Sequence, residues 1–369
     1  MKIGFVVPRM GGGGAERVIS LLANEFAKEN DVSLITLVEG ESFYPLDDKI
    51  RIESVGVSVN RKNRATAFFS KLLFFPKAFF VLRKKLKAQK CDVVVSMLKE
   101  TDILVYLCRK SGLKFKHVCS ERNDPTTRKK MTRRILNKVY KSSDLFVCQG
   151  KTVYDYYSKV KDEKKKIIAN PINGENLPER LVGESRKVVS VGRLDKQKNF
   201  PLIIKSFSKL PDKFDEYILD IYGEGPERPY LQGLIDDVKM ADRITLCGAK
   251  QNLLSLIRDA DLFVLPSNYE GFPNALLEAM AIGLPVISTD FSTGIARELI
   301  LPENGRVVPV GDEVKMIEAL CELLGNGELR EKMGKSNREK CKEFYIPEII
   351  QKWKDAINEL FDGKEKSYE

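Results

Sequence analysis

Residues 262–285 read LFVLPSNYEGFPNALLEAMAIGLP. The first four residues form an apolar run of the length expected for a buried strand, and a helical pattern begins near Asn274. Glu270 falls in the loop between the two elements, and Glu278 lies on the helix. The two glutamates are eight residues apart, a rise of about 12 Å if the whole segment were helical. This spacing is too long for a close acid/base pair on one helix. It favours two carboxylates that hold opposite ends of an elongated ligand.

The start of this helix is a predicted anion site. The first backbone N–H groups of a helix have no partner within it, and the helix dipole favours a negative charge there. The amides in question belong to Asn274, Ala275, Leu276 and Leu277. Carboxylates suit hydroxyl groups and free amides suit phosphates, so the stretch predicts a bound sugar nucleotide.

Length and composition describe a soluble protein of two domains. The chain has 369 residues, 43% of them hydrophobic and 31% charged, which is too long for one core and ordinary for a globular protein. Seven cysteines without paired spacing indicate a reducing cytoplasm. A single histidine and the lack of a C-x-x-C pair make a zinc site improbable. With no run of 18 apolar residues, we expect no membrane span.

The net charge of +10 is unevenly distributed. Residues 1–172 contain 35 Lys and Arg against 18 Asp and Glu, a balance of +17, whereas residues 173–369 carry 27 against 34. A basic half predicts an anionic partner, which can be nucleic acid, an anionic bilayer or a phosphate-bearing substrate.

Residues 61–90 have the most unusual composition of the chain. They hold ten Lys and Arg, no acid and six phenylalanines. At helical spacing, an apolar stripe runs from Phe68 to Leu86 through Phe75 and Phe79, and Pro76 is expected to kink or divide the helix. A basic helix rich in Phe and Leu suits an anionic bilayer surface. The alternative is a helix packed on the core with a solvated lysine face.

Strands alternate with helices in both halves of the chain. In the first half, the loop Gly11–Gly14 links a strand to an amphipathic helix, as a phosphate cradle does, although such a loop can also be only a tight turn. It lacks both the dinucleotide fingerprint and the P-loop lysine. A polar stretch after residue 172 is the predicted linker. The predicted strands are 2–8, 32–38, 50–55, 92–97, 115–120 and 145–149, then 187–191, 217–222, 244–246, 262–266, 285–290 and 305–309.

The alternation predicts an α/β fold of two doubly wound parallel-sheet domains that face a cleft. His117, the only histidine, lies near the end of a predicted strand, where open α/β sheets place ligand sites. The single D-x-D sequence, Asp259 to Asp261, ends a helix before a buried strand and is more consistent with a structural junction than with a metal site.

In the order of its loops, the chain resembles the retaining glycosyltransferases of family 4, which have the GT-B architecture of two Rossmann-like domains. The resemblance covers nearly the whole chain. It rests on the E-x7-E motif from Glu270 to Glu278, on Gly192-Arg193 with Lys198-Asn199, on the turn Gly223-Glu224-Gly225-Pro226, and on the glycine loop before Ala15-Glu16-Arg17. It implies an acceptor domain over residues 1–172, a donor domain over 173–345, and a last helix, 346–369, that packs back on the first domain.

The resemblance also implies roles for individual residues. Arg193 and Lys198 resemble the cations that bind the donor diphosphate without a metal, and His117 the histidine near the reacting sugar. Glu278 resembles the ribose-binding carboxylate. Glu270, with the amides of Gly271 and Phe272, resembles the group that holds the donor sugar. The other implied donor-binding residues are Gly223, Gly225, Ala249, Lys250 and Gln251 at the predicted ends of strands, and Asn274, Ala275, Leu276 and Leu277 at the helix start.

The acceptor is implied by the basic first half, which is similar to that of bacterial transferases that extend polyprenyl-diphosphate-linked oligosaccharides, notably N-acetylgalactosaminyltransferases of protein glycosylation. Arg64, Lys71 and Lys77, with Gly13 and Gly14, are the expected phosphate-binding residues. The expected protein is cytoplasmic and peripheral on the inner face of the membrane. It uses a UDP-sugar and needs neither a metal nor another cofactor.

Other functions remain open at this point. Nucleic-acid binding would explain the basic half but predicts a recognisable module, which the sequence lacks. An oxidoreductase would need spaced glycines in place of Gly11–Gly14. An epimerase or phosphorylase of the same architecture is a closer rival. Among transferases, capsule or exopolysaccharide synthesis with a different sugar nucleotide competes with protein glycosylation.

Overall fold

The computed structural model describes residues 1–57, 64–181, 183 and 185–362, the side chains of residues 64–74 excepted. These residues divide into two compact units. Unit 1 comprises Met1–Gln149, Val153–Asn170 and the chain from Pro347 onward, and unit 2 comprises Gly150–Thr152 and Pro171–Ile346.

Unit 1 is built on a seven-stranded parallel sheet. Its order is β3-β2-β1-β4-β5-β6-β7, so the chain starts near the centre, moves to one edge and then returns to build the other. The inner strands are buried along their length, as expected when helices cover both faces. The strands are β1 (Lys2–Val7), β2 (Asp31–Thr36), β3 (Arg51–Ser54), β4 (Val93–Met97), β5 (Lys116–Ser120), β6 (Leu145–Cys148) and β7 (Lys165–Ile167).

Unit 2 is built on a six-stranded parallel sheet of order β10-β9-β8-β11-β12-β13. Again the first strand is central. The strands are β8 (Lys187–Val191), β9 (Ile218–Tyr222), β10 (Ile244–Gly248), β11 (Leu262–Leu265), β12 (Val286–Thr289) and β13 (Gly305–Val308). The predicted α/β class with two parallel sheets is therefore confirmed.

The helices follow the strands in alternation. They are α1 (Gly14–Ala27), α2 (Arg64–Gln89), α3 (Lys99–Lys110), α4 (Lys130–Ser142), α5 (Lys151–Tyr156), α6 (Phe200–Phe207), α7 (Arg228–Asp237), α8 (Leu253–Ile257), α9 (Asn274–Ala281), α10 (Ile295–Leu299), α11 (Glu313–Leu324), α12 (Gly327–Cys341) and α13 (Ile346–Asp362). Residues 363–369, which the sequence placed on the last helix, lie outside the described residues.

Helix α2 departs from the sequence prediction in two respects. It continues through Pro76 and is not divided there. Its buried line runs through Ala78, Leu82 and Leu86, which pack into the core of unit 1, whereas Phe75, predicted on the apolar stripe, is 41% exposed. The C-terminal half of α2 is thus a core-packed helix that also presents exposed phenylalanine and lysine. No helix in the described ranges is long and apolar enough to cross a membrane.

Candidate active site

The predicted donor loops meet at the point where the order of the second sheet reverses. From the central strand β8 the chain moves outward to β9 and β10, and it then returns to β11 on the other side of β8. The loops after β8 and β11 therefore leave the same sheet edge in opposite directions, and open α/β sheets bind ligands in that crevice. Arg193, Lys198 and Glu270 all lie in these two loops.

An ion pair between Lys198 and Glu270 joins the two loops. Lys198 Nζ lies 2.6 Å from Glu270 Oε1, and the two side chains are 17% and 7% exposed. Ser267 Oγ donates to the same carboxylate oxygen at 2.6 Å, and Gln197 Nε2 donates to Oε2 at 3.2 Å. The carboxylate is therefore held in one orientation before any ligand binds. Sequence reasoning missed Ser267 and Gln197, although each is a close neighbour of a predicted residue.

Arg193 differs from Lys198 in its environment. Its side chain is 72% exposed, and its Nε donates to Asp195 Oδ2 at 2.6 Å. Asp195 also accepts hydrogen bonds from the amides of Gln197 and Lys198, which shapes the loop. The two predicted cations are thus an exposed guanidinium paired with Asp195 and a largely buried ammonium paired with Glu270. Asp195 was not predicted as a partner of Arg193.

The glycines after β8 and β9 allow backbone segments to touch. A Cβ on Gly223, where φ is +146°, would overlap the carbonyl oxygen of Gly192, and a Cβ on Gly225 would overlap that of Leu194. Gly192 N–H donates to Tyr222 O at 3.0 Å, which ties the ends of the two strands together. Both predicted glycines are therefore needed for close approach of the loops at this sheet edge.

Helix α9 starts directly after Glu270's loop, as predicted, but its amides are not equivalent. The N–H of Asn274 donates to Phe272 O at 3.0 Å, and that of Leu277 donates to Pro273 O at 3.1 Å. Within the described residues, the amides of Ala275 and Leu276 have no such acceptor. These two N–H groups are the ones left for an anion at the helix N-terminus.

The remaining predicted donor residues lie around the same edge of unit 2. Glu278 is half-buried on α9, Gly271 is half-buried in the loop, and Phe272 is buried. The exposed segment that follows β10 consists of Ala249, Lys250 and Gln251.

His117 is not placed for catalysis, and this prediction was wrong. It is the second residue of β5, at the amino end of the strand, and its side chain is fully buried. Its Nε2 lies 2.9 Å from Ser96 Oγ, which donates to Asp102 Oδ1 at 2.7 Å. Burial, with a smaller contribution from Arg109, lowers the pKa of His117 to about 3. The imidazole is therefore a neutral core group on the side opposite the carboxyl ends of the strands.

The glycine loop of unit 1 is occupied by an acidic side chain. Gly13 caps α1 and Gly14 is its first residue, and the carboxylate of Glu16 fills the space where a Gly13 Cβ would lie. Burial raises the pKa of Glu16. A phosphate can bind in this loop only after Glu16 moves.

The predicted acceptor cations are described only in part. Lys77 is exposed on α2. The side chains of Arg64 and Lys71 lie outside the described residues.

The D-x-D sequence is tied into ion pairs. Lys187 Nζ lies 2.8 Å from Asp259 Oδ2, and Arg330 Nη2 lies 3.4 Å from Asp261 Oδ1. Across the described part of the chain, no three His, Cys, Asp or Glu side chains are grouped to hold a metal ion.

Two parallel α/β units, the second with cations, glycines and helix amides at one sheet edge, are the architecture of the GT-B glycosyltransferases. Sucrose-phosphate synthase from Thermosynechococcus elongatus has this fold, with a TM-score of 0.83 at 18% identity over 98% of this chain and 99% of that one. HepE from Anabaena, solved in complex with UDP, gives a TM-score of 0.81 at 16% identity over 97% of this chain and 100% of that one.

The sequence comparisons identify the family. Residues 12–176 match Glycosyltransferase Family 4, and residues 176–340 match Glycosyl transferases group 1. A Campylobacter jejuni enzyme, named GalNAc-alpha-(1->4)-GalNAc-alpha-(1->3)-diNAcBac-PP-undecaprenol alpha-1,4-N-acetyl-D-galactosaminyltransferase, is 30% identical over 98% of this chain and 99% of its own. The chain belongs to glycosyltransferase family 4, as the sequence motifs predicted.

Proposed function

We propose that this glycosyltransferase moves an N-acetylhexosamine from a UDP-sugar to an oligosaccharide carried on a membrane polyprenyl diphosphate, with retention of configuration and without a metal ion. The similarity along its full length to an N-acetylgalactosaminyltransferase that acts on an undecaprenol-diphosphate glycan supports this substrate class. The UDP bound to HepE, which shares the fold, supports the nucleotide.

The observation that carries the proposal is the Lys198–Glu270 pair at the reversal point of the second sheet. In glycosyl transfer, positive charge develops on the sugar and negative charge on the departing diphosphate. Lys198 and Arg193 would stabilise the diphosphate, and Glu270 would hold the sugar. Preorganised charges of this kind are the largest contributors to such catalysis.

Other residues of unit 2 would bind the rest of the donor. The amides of Ala275 and Leu276 would face a phosphate, and Glu278 would accept hydrogen bonds from the ribose. The exposed segment from Ala249 to Gln251 would contact the base. Gly223 and Gly225 would keep the loops close enough for these contacts.

The anomers involved support the proposed retention. UDP-N-acetylhexosamines carry the sugar in the α configuration, and the Campylobacter relative is named for an alpha-1,4 product. An α-linked product from an α-linked donor is a retaining reaction. Two cations and two free amides at the diphosphate would replace the charge that a divalent ion supplies in metal-dependent enzymes.

Unit 1 would bind the acceptor at the cytoplasmic face of the membrane. Its basic character suits an anionic bilayer and a lipid diphosphate. We assign the lipid diphosphate to Arg64, Lys71 and Lys77 on α2, and an acceptor phosphate to Gly13 and Gly14 once Glu16 is displaced.

A donor screen tests the central proposal. Purified protein is incubated with individual sugar nucleotides and a polyprenyl-diphosphate-linked glycan, and the released nucleotide is measured with and without a chelator. We expect UDP release that depends on the acceptor and is unchanged by the chelator. Loss of activity in the chelator would contradict the metal-free mechanism, and no release from any sugar nucleotide would contradict the function itself. The anomeric signal of the product, read by NMR, reports retention.

The acceptor assignment has its own test. Replacing Arg64, Lys71 and Lys77 with Gln is expected to raise the KM for the lipid-linked acceptor and to weaken vesicle binding, while UDP-sugar affinity stays the same. The matched control replaces the exposed Lys205, Lys239 and Lys332 of unit 2 with Gln, which removes the same charge. Equal behaviour of the two triple variants would refute the assignment.

A further inference from the structure

Unit 1 contains an open cavity of about 830 Å³ that none of the donor or acceptor residues above lines. It lies at the amino ends of the strands, since Asp92 precedes β4, Lys116 begins β5 and Asp144 precedes β6. This is the edge opposite the one where open α/β sheets bind substrates. Its volume is that of a typical small-molecule site.

The walls of the cavity combine apolar and cationic groups. Leu86, Leu113, Phe115 and Phe361 supply the apolar part. Beside the cavity, Arg83 on α2 donates a hydrogen bond to Ser111 Oγ at 2.7 Å, which ties α2 to the end of α3. Two carboxylates, Asp92 and Asp144, also line the cavity. They are outnumbered by the cationic residues Lys87, Lys90, Arg109, Lys114 and Lys116.

Both carboxylates already have donors. Arg109 Nη1 lies 2.7 Å from Asp144 Oδ2, and the amide of His117 donates to the same oxygen at 2.8 Å. Asp92 Oδ2 accepts the amide of Lys2 at 2.8 Å. With five cations against two carboxylates, the lining keeps an excess of three positive charges.

Among the described residues, three lysines of the cavity have no acidic partner. Lys87, Lys90 and Lys114 are exposed, and none forms an ion pair with another described residue. Three like charges around one concave surface repel each other and raise the local concentration of anions. An anion in the cavity would relieve that repulsion, and the apolar walls suit a ligand that also carries hydrocarbon.

We propose that this cavity binds a phosphate ester attached to an apolar group. The ligand is either the headgroup of an anionic phospholipid or a soluble phosphate ester. Phe80, 69% exposed, and Lys84 precede Lys87 on the same face of α2, at spacings of four and three residues. That exposed face favours the phospholipid. The cavity shares no residue with the proposed donor and acceptor sites, although α2 contributes to both the cavity and the acceptor site.

The test is calorimetric titration, without any sugar nucleotide, of the full chain with three probes. These are dihexanoyl-phosphatidylglycerol and dihexanoyl-phosphatidylcholine, both below their micelle concentrations, and glycerol 3-phosphate. We expect the phosphatidylglycerol to bind and the zwitterionic lipid to bind far more weakly. Replacing Lys87, Lys90 and Lys114 with Gln should weaken binding by roughly 100-fold, since it removes three of the five cations that line the cavity. The triple variant of Lys205, Lys239 and Lys332 should bind like the wild type.

Each outcome decides the proposal. Glycerol 3-phosphate that binds as tightly as the lipid, and loses affinity in the cavity variant, supports the site and identifies a soluble ligand. Three results overturn the proposal: the two lipids bind equally well, neither phosphatidylglycerol nor glycerol 3-phosphate binds, or the cavity variant binds with the affinity of the wild type. Thermal melting and UDP release by the cavity variant are measured alongside. Normal values there show that the protein is folded and leave the proposed transferase function standing whichever way the titration falls.

Discussion

At the scale of single residues, Lys198 offers the sharpest test of the donor site. Its ammonium is fixed beside Glu270 and would stabilise the charge that develops on the departing diphosphate. Lys198→Ala is expected to lower kcat/KM by about 10²–10³-fold, the usual effect of removing one preorganised electrostatic contact. The measurement is UDP release under steady-state conditions.

Lys196 provides the matched control for Lys198. It lies in the same loop, is exposed and forms no ion pair with another described residue. Lys196→Ala should keep kcat/KM within a factor of a few of the wild type. If both variants lost activity equally, the loss would come from the loop as a whole and not from the ammonium of Lys198.

Two glycines give opposite predictions for the same substitution. Gly223→Ala places a Cβ against the carbonyl oxygen of Gly192 at a φ of +146°, so we expect destabilisation by more than about 1 kcal/mol and weaker UDP binding. Gly233 lies within α7, and a Cβ there meets nothing within 4 Å. Gly233→Ala should stabilise the protein by about 1 kcal/mol through helix propensity. Thermal melting with and without UDP measures both, and two shifts of the same sign would contradict this account.

Individual residues were predictable where the chemistry lay in one contiguous stretch. The loop position of Glu270, the helix position of Glu278 and the start of α9 agree with the sequence pattern, whereas the roles of the two glutamates stay predictions. The Lys198–Glu270 pair was not foreseen, because its two residues lie in different loops, 72 residues apart in sequence. The Arg193–Asp195 pair was not foreseen either, although both residues lie in the loop after β8. His117 was misassigned because the sequence did not reveal that Ser96 and Asp102 enclose its ring within the core.

At the scale of elements, α13 is anchored to unit 1 by the only tryptophan of the chain. Trp353 is fully buried, and the guanidinium carbon of Arg122 lies 5.7 Å from its ring centroid. Trp353→Ala is expected to destabilise unit 1 by about 3–5 kcal/mol, as is usual for deleting a buried tryptophan. Urea unfolding followed by circular dichroism measures this change.

The neighbouring Lys352 supplies a control on the same helix. It is exposed, so Lys352→Ala should leave the unfolding midpoint nearly unchanged. An equally small effect of Trp353→Ala would mean that α13 does not contribute to the stability of unit 1.

Most elements could be located from the sequence, because strands buried on both faces appear as short apolar runs. The exceptions have physical causes. Strand β7, Lys165–Ile167, is a short edge strand that begins with two lysines, so it lacked an apolar signal. Helix α2 tolerates Pro76, which the sequence could not show because tertiary packing decides whether such a helix continues. Tertiary packing also decides which residues of α2 are buried, so the sequence did not predict that Ala78 would lie in the core.

At the scale of the whole molecule, the α/β class was predictable because alternation of strands and helices leaves few other folds. The sequence predicted doubly wound parallel sheets, but it did not predict the order of the strands within them. Which strand would be central, and which two loops would therefore diverge at the ligand edge, became visible only in the structure. That order explains why a motif after β8 and a motif after β11 lie at the same sheet edge.

The stability of the whole chain should depend on pH through its only histidine. Burial holds the folded-state pKa of His117 at about 3, whereas an unfolded histidine titrates near pH 6.5. Below pH 6.5 the unfolded chain therefore binds a proton at His117 that the folded chain does not, and the contribution of His117 to stability falls as the pH decreases toward 3. At pH 5 this loss amounts to about 2 kcal/mol. Buried carboxyl groups such as Asp102 and Glu121, whose pKa values burial raises, act in the opposite direction.

The difference between the wild type and His117→Asn isolates the histidine from those carboxyl groups, which both proteins share. The variant should be less stable at pH 7.5, since it loses buried packing, but its deficit should shrink by about 2 kcal/mol at pH 5. Urea unfolding followed by Trp353 fluorescence measures this, because the single tryptophan is buried in unit 1 with His117. Parallel stability curves from pH 7.5 to 5 would show that His117 is accessible to protons in the folded state. The same variant should also keep the pH profile of UDP release, and a shifted profile would return His117 to the catalytic site.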